Sequence, residues 1–140
     1  MNIHQTINKA AKILIKNKIK TPYLDSELLL SKVISKDRDY IILNLKETVS
    51  KKYLNEFYHL IQRRKKGEPV AYLINYKDFW KQKYFVNNDV LIPRPDTEVL
   101  IEQTLQMFGK DKRLRILDIG TGSGCLVLSI LKERKNFLGV

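Results

Sequence analysis

Leu114-Arg115-Ile116-Leu117-Asp118-Ile119-Gly120-Thr121-Gly122-Ser123-Gly124-Cys125-Leu126 is an apolar run that stops at three alternate glycines and then resumes. Alternation of Leu114 and Ile116, followed by Leu117 and Ile119, favours a buried strand, because short β-branched runs bounded by glycine are strand-like. Gly120, Gly122 and Gly124 permit positive φ and let main-chain N–H groups approach a ligand that any Cβ would push away. A helix is expected to begin near Ser123, a good N-cap residue, with Leu126, Val127, Ile130 and Leu131 as its apolar stripe. Strand, glycine turn and helix together predict a ligand site at the carboxyl edge of a parallel sheet.

Spacing narrows the ligand. A dinucleotide fingerprint needs G-x-G-x-x-G, yet Cys125 stands where the third glycine belongs. A phosphate loop needs Gly-Lys-Ser/Thr, and the chain has Gly124-Cys125-Leu126. The run from Asp118 to Gly124 instead resembles the first motif of the S-adenosylmethionine-dependent methyltransferases with a doubly wound sheet. That resemblance implies that the glycine turn packs against the amino-acid part of S-adenosyl-L-methionine, with Asp118 at the strand end.

The chain has 140 residues, enough for one ordinary domain or two small ones. At 44% hydrophobic residues it is not a disordered chain, and no apolar run approaches the roughly 20 residues of a membrane span. The N-terminus lacks the apolar segment of a secretory signal. One cysteine cannot close an internal disulfide and two histidines do not make a usual zinc site, so a reducing, metal-free, cytoplasmic setting is expected. The net charge of +11, from 26 Lys and Arg against 15 Asp and Glu, favours approach to polyanions such as RNA or ribosome surfaces. Scattered lysines among many Ile and Asn look as much like compositional bias. The one dense cluster, Arg63-Arg64-Lys65-Lys66, falls in the last turn of a predicted helix, where cations oppose the dipole's negative end.

From the start, Ile3, Ile7, Ala10, Ala11 and Leu14 recur at helical spacing, with Lys9, Lys12 and Lys16 outward. Thr21-Pro22 supplies an N-cap and a proline at the first helical position, and Asp25 and Glu27 suit the dipole of a second helix through Leu24, Leu28, Leu29, Leu30 and Val33. A short helix is expected from Asp39 to Leu45, filled inward by Tyr40, Ile41, Leu43 and Leu45. Ser50 reads as an N-cap and Gly67 as the closing residue of a helix lined by Tyr53, Leu54, Phe57, Tyr58 and Ile61. His59 lies among these without a cluster of chemical partners and reads as structural. Between Asp78 and Ile92 the period changes, and aromatic and β-branched pairs separated by polar turns predict a hairpin. Pro93 and Pro95 hold the chain extended and fix the direction of Arg94 before a helix that carries Val99, Leu100, Leu105 and Phe108 and ends at Gly109.

The blocks Gln62 to Leu73, Phe79-Trp80, Val90-Leu91-Ile92-Pro93-Arg94-Pro95-Asp96-Thr97-Glu98 and Asp118 to Gly124, in this order, resemble the HemK/PrmC family. The resemblance implies an α/β protein: a helical substrate-docking domain over residues 1–74, a β-hairpin linker over 75–95, and from 96 to 140 the beginning of a doubly wound, Rossmann-like methyltransferase domain. It implies an enzyme that transfers a methyl group from S-adenosyl-L-methionine to the side-chain amide nitrogen of a glutamine in a peptide chain release factor. Cofactor contacts are expected at Gly120, Thr121, Gly122, Ser123 and Gly124. Asp118 either supports the turn, receives the cofactor's ammonium, or only caps the turn's N–H groups. Arg94, Pro95 and Thr97 are second-rank candidates, and no catalytic residue is assigned.

Two departures from the family pattern stand out. Ile74-Asn75 occupies the place where a glycine usually follows Ala-Tyr-Leu. The acidic residue after the second strand and the Asn-Pro-Pro-Tyr motif are absent, and no Asn-Pro pair occurs anywhere. The expectation is therefore the N-terminal part of such an enzyme, inactive alone. Two rivals remain: an RNA- or DNA-directed amino-group methyltransferase, and a non-catalytic basic RNA-binding module.

Overall fold

A computed structural model describes all of residues 1–140 and divides them into two compact units, Met1–Ile74 and Asn75–Val140. The architecture is α/β, with seven α-helices and two small two-stranded sheets. No helix is long and apolar enough to cross a membrane.

The first unit is helical: α1 (Ile3–Lys16), α2 (Pro22–Ile34), α3 (Arg38–Leu43), α4 (Lys51–Lys65) and α5 (Val70–Ile74). Helix α1 starts at a capping box in which Asn2 Oδ1 accepts from Gln5 N at 2.8 Å and Asn2 N donates back to Gln5 Oε1. Ile3, Ile7, Ala10, Ala11 and Leu14 are buried, as the spacing predicts, and the two alanines let α2 pack closely on α1. Ser50 caps α4 by accepting from Tyr53 N, and Gly67 follows it with φ +97°. Leu29, Leu30, Val33, Ile41, Phe57 and Ile61 complete the core.

Three expectations change here. Thr21 makes no cap bond, because its hydroxyl donates at 2.8 Å to the Asp25 carboxylate instead. Asp25 stands in the first turn of α2, as the dipole reading requires, but it is 1% exposed and also paired with Arg64 at 2.6 Å. Helix α3 spans one and a half turns and buries Ile41 alone, leaving Leu43 82% exposed, since six residues present only one side to the neighbouring helix.

The second unit opens with an antiparallel hairpin, β1 (Tyr76–Phe79) and β2 (Gln82–Phe85), paired Tyr76 to Phe85 and Phe79 to Gln82. Asn75, at the position that departs from the family's glycine, takes φ +63°, a left-handed conformation that asparagine tolerates. Trp80 takes φ +54° in the two-residue turn. Its main-chain N–H donates to Glu98 Oε1 at 2.7 Å and its indole to Glu133 Oε1 at 2.9 Å, so the strained turn is held from both sides. Val90 to Ile92 forms no strand. A 3-10 turn (Pro95–Thr97) leads into α6 (Glu98–Met107), which buries Ile101 rather than Val99 and Leu100, the latter two being 53% and 56% exposed. Ile101 and Leu105, one turn apart, face the core.

Strand β3 (Arg115–Ile116), helix α7 (Cys125–Glu133) and strand β4 (Leu138–Gly139) follow, and the two strands pair in parallel. Leu138 N donates to Leu114 O at 2.8 Å and Asp118 N to Val140 O at 2.9 Å, so the ladder reaches from Leu114 to Asp118. It does not bury Leu117 and Ile119, which are 69% and 87% exposed, because they stand on the face opposite Leu114 and Ile116, which pack on the core. Phe79, Tyr84, Ile101, Cys125, Ile130 and Phe137 form the core, and Tyr84 Oη meets Ser129 Oγ at 2.7 Å inside it. The hairpin is thus built into the second unit's interior.

Candidate functional site

The parallel ladder ends at Asp118, and from there the chain must reverse into α7 within six residues. Gly120, Gly122 and Gly124 make this reversal with φ of +77°, +56° and +74°, each in the region where a side chain is strained. Helix α7 begins at Cys125, later than expected. Gly124, not Ser123, is the capping residue, and it offers no side-chain acceptor.

The consequence is a run of unused donors. Gly124 N bonds Thr121 O at 2.9 Å, but the main-chain N–H groups of Gly120, Thr121, Gly122 and Ser123 make no hydrogen bond within the chain. Uncapped N–H groups of the first turn of α7 lie beside them. Successive free N–H groups at a helix N-terminus make a concave, electropositive cradle suited to a carboxylate or other anionic group. Ser123 Oγ is buried with no partner, a second polar atom left open at the same place.

Asp118, half-buried, accepts from Thr121 Oγ1 at 3.0 Å, which braces the turn and leaves the other carboxylate oxygen without a donor. A cleft of about 170 Å³ lies against the turn, bounded by Gly120 to Ser123, Cys125 and Leu126 on one side and by Leu91 to Arg94 and Thr97 on the other. The structure therefore brings Arg94 and Thr97 to the glycine turn, whereas Pro95 is not part of the wall. Arg94 is exposed and has no acidic partner. Leu91, Ile92 and Pro93 were not legible as wall residues: an apolar triplet before a proline reads equally as strand or linker, and only the fold carries it to the turn. His59 is exposed and lies in the other unit.

Residues 5–74 match the family model of the PrmC N-terminal domain. Among curated proteins, the chain is 43% identical over 118 residues to the release factor glutamine methyltransferase of Coxiella burnetii, covering 84% of this chain and 43% of that protein. It is 40% identical over 126 residues to the release factor glutamine methyltransferase of Buchnera aphidicola subsp. Baizongia pistaciae, covering 90% of this chain and 46% of that protein. It is 35% identical over 159 aligned residues to a bifunctional methyltransferase of Rickettsia conorii, covering 96% and 30%. The chain thus spans about half or less of the length of these relatives. A helical unit matched along almost its whole length, joined in one polypeptide to a strand, glycine turn and helix, places these 140 residues in the HemK/PrmC family.

Proposed function

We propose that this chain is the N-terminal part of an S-adenosyl-L-methionine-dependent methyltransferase acting on the side-chain amide of a glutamine in a peptide chain release factor. The observation that carries the reading is the cradle of four free N–H groups on three left-handed residues, next to a cleft that Arg94 and Thr97 also line. The names of the relatives, release factor glutamine methyltransferases, supply the substrate class. The strand, helix and parallel strand from Arg115 to Gly139 are read as the opening of a doubly wound, Rossmann-like sheet, and residues 1–74 as the substrate-docking unit, in a reducing, cytoplasmic setting that suits the free Cys125.

The residues present fit the proposed cofactor. Gly120 to Ser123 would hold the carboxylate end of its amino-acid part through main-chain N–H groups, Gly124 N being already bonded to Thr121 O, and Ser123 Oγ offers a further partner. The free oxygen of Asp118 would receive its ammonium. When bound, the cofactor supplies a sulfonium methyl group. An amide lone pair is delocalised into its carbonyl, so the reaction depends on positioning and on stabilising the developing charge. No Asn-Pro pair is present to hold an amide, so these residues are assigned half of the cofactor site and none of the amide-binding motif.

Calorimetric titration of the complete protein with S-adenosyl-L-methionine tests the reading, and a complete protein that ignores this compound overturns it. Incubated with the cofactor and a release factor, the 140-residue chain alone is expected to transfer no methyl group.

A further inference from the structure

The charge of this protein is not evenly shared. Residues 1–74 hold fifteen Lys and Arg against seven Asp and Glu, a net +8, while residues 75–140 hold eleven against eight, a net +3. The structure sharpens the asymmetry. All three arginines of the helical unit are consumed internally: Arg38 by Glu27, Arg63 by Glu68 and Arg64 by Asp25. Those pairs use three of its seven acids, leaving Asp37, Asp39, Glu47 and Glu56 against twelve lysines.

The first 24 residues contain five lysines and no acid at all. Lys9, Lys12 and Lys16 lie on the side of α1 opposite its buried residues, and Lys18 and Lys20 continue from its end. All five are exposed and none is ion-paired. Lys9 Nζ rests 5.7 Å from the centre of the Tyr58 ring, which orients it. Between Lys9 and Lys20 the one exposed large apolar side chain is Ile15.

We propose that this face of α1 and the loop after it dock the phosphate backbone of RNA. Protein interfaces are depleted in lysine and centred on apolar anchors, neither of which describes this face. Lysine as a mobile point charge suits phosphates read without sequence preference.

The test is fluorescence anisotropy of a labelled single-stranded RNA with the full chain across a salt series. A duplex DNA of equal charge and poly-glutamate serve as competitors. Neutralising three phosphates on a single strand corresponds to a slope of about −2 in log K against log salt. Lys9→Glu/Lys12→Glu/Lys16→Glu is expected to remove about that much slope and at least about tenfold in affinity. Lys110→Glu/Lys112→Glu/Lys135→Glu, the same charge change on exposed lysines of the second unit, is expected to change neither. Circular-dichroism melts check both variants. Should the first fail to fold, Lys12→Gln/Lys16→Gln, which leaves the Lys9–Tyr58 contact intact, is expected to show about two-thirds of the loss in slope. Duplex DNA competing less well than unlabelled RNA supports the proposal. Equal weakening by the two triple variants, absence of RNA binding at low salt, duplex DNA outcompeting unlabelled RNA, or displacement by poly-glutamate as effective as by RNA would each overturn it.

Discussion

Arg64 Nε donates to Asp25 Oδ2 at 2.6 Å, joining α4 to α2 through a carboxylate that is 2% exposed and a guanidinium that is 16% exposed. The same arginine donates to Glu68 O at 3.0 Å, and Thr21 Oγ1 adds a second bond to the carboxylate. Breaking one half of a buried pair leaves an uncompensated charge, so Arg64→Ala is expected to cost about 3–5 kcal/mol. Arg63→Ala, which loses a more exposed pair with Glu68, is expected to cost about 1 kcal/mol or less. Urea denaturation of the full chain, followed by circular dichroism, separates the two.

Gly122 and Gly139 are predicted to fail for opposite reasons. At Gly122, φ is +56° and an added Cβ meets nothing closer than 3.9 Å, so Gly122→Ala is expected to fold at a cost of about 1–2 kcal/mol while weakening cofactor binding in the complete protein. At Gly139 a Cβ would stand 2.6 Å from Val127 Cγ2 and 2.8 Å from Leu131 Cδ1, so Gly139→Ala is expected to cost about 1–3 kcal/mol by overpacking α7 against β4. Thermal melts together with a cofactor titration distinguish loss of binding from loss of fold.

Tyr84 and Ser129 form a testable pair. Tyr84→Phe leaves a buried Ser129 hydroxyl without its partner and is expected to cost about 1–3 kcal/mol. Tyr84→Phe/Ser129→Ala removes both polar groups, and its cost is expected to be smaller than the sum of the single changes. A double-mutant cycle measured by denaturation reads the coupling.

Acid should reach the hairpin turn through Glu133. Hydrogen bonds from Lys81 and then Trp80 hold its carboxyl below the usual carboxylate range. A depressed folded pKa means that the stabilisation is complete above the unfolded carboxylate value and is lost as pH falls through the lower, folded value. Trp80 is the only tryptophan, so its emission is expected to shift over that acidic window. In Glu133→Gln the shift should be absent; a shift that persists would mean another group controls the indole.

Local rules were readable without coordinates wherever the chain needed only its near neighbours. The stripe from Ile3 to Leu14 follows from a 3.6-residue period, Ser50 and Gly67 from the hydrogen-bonding needs of helix ends, and the turn at Gly120 to Gly124 from glycine's access to positive φ. These signals sit within a few residues of the structure they produce. Tertiary structure alone decided the partnerships. Asp25 looks like a first-turn acid until Arg64, 39 residues away, is folded against it. Arg94 looks like part of a proline linker until the chain brings it across from Gly122. Ion pairs and cleft walls depend on which surfaces meet, and meeting is set by packing of whole elements, which no window of sequence encodes.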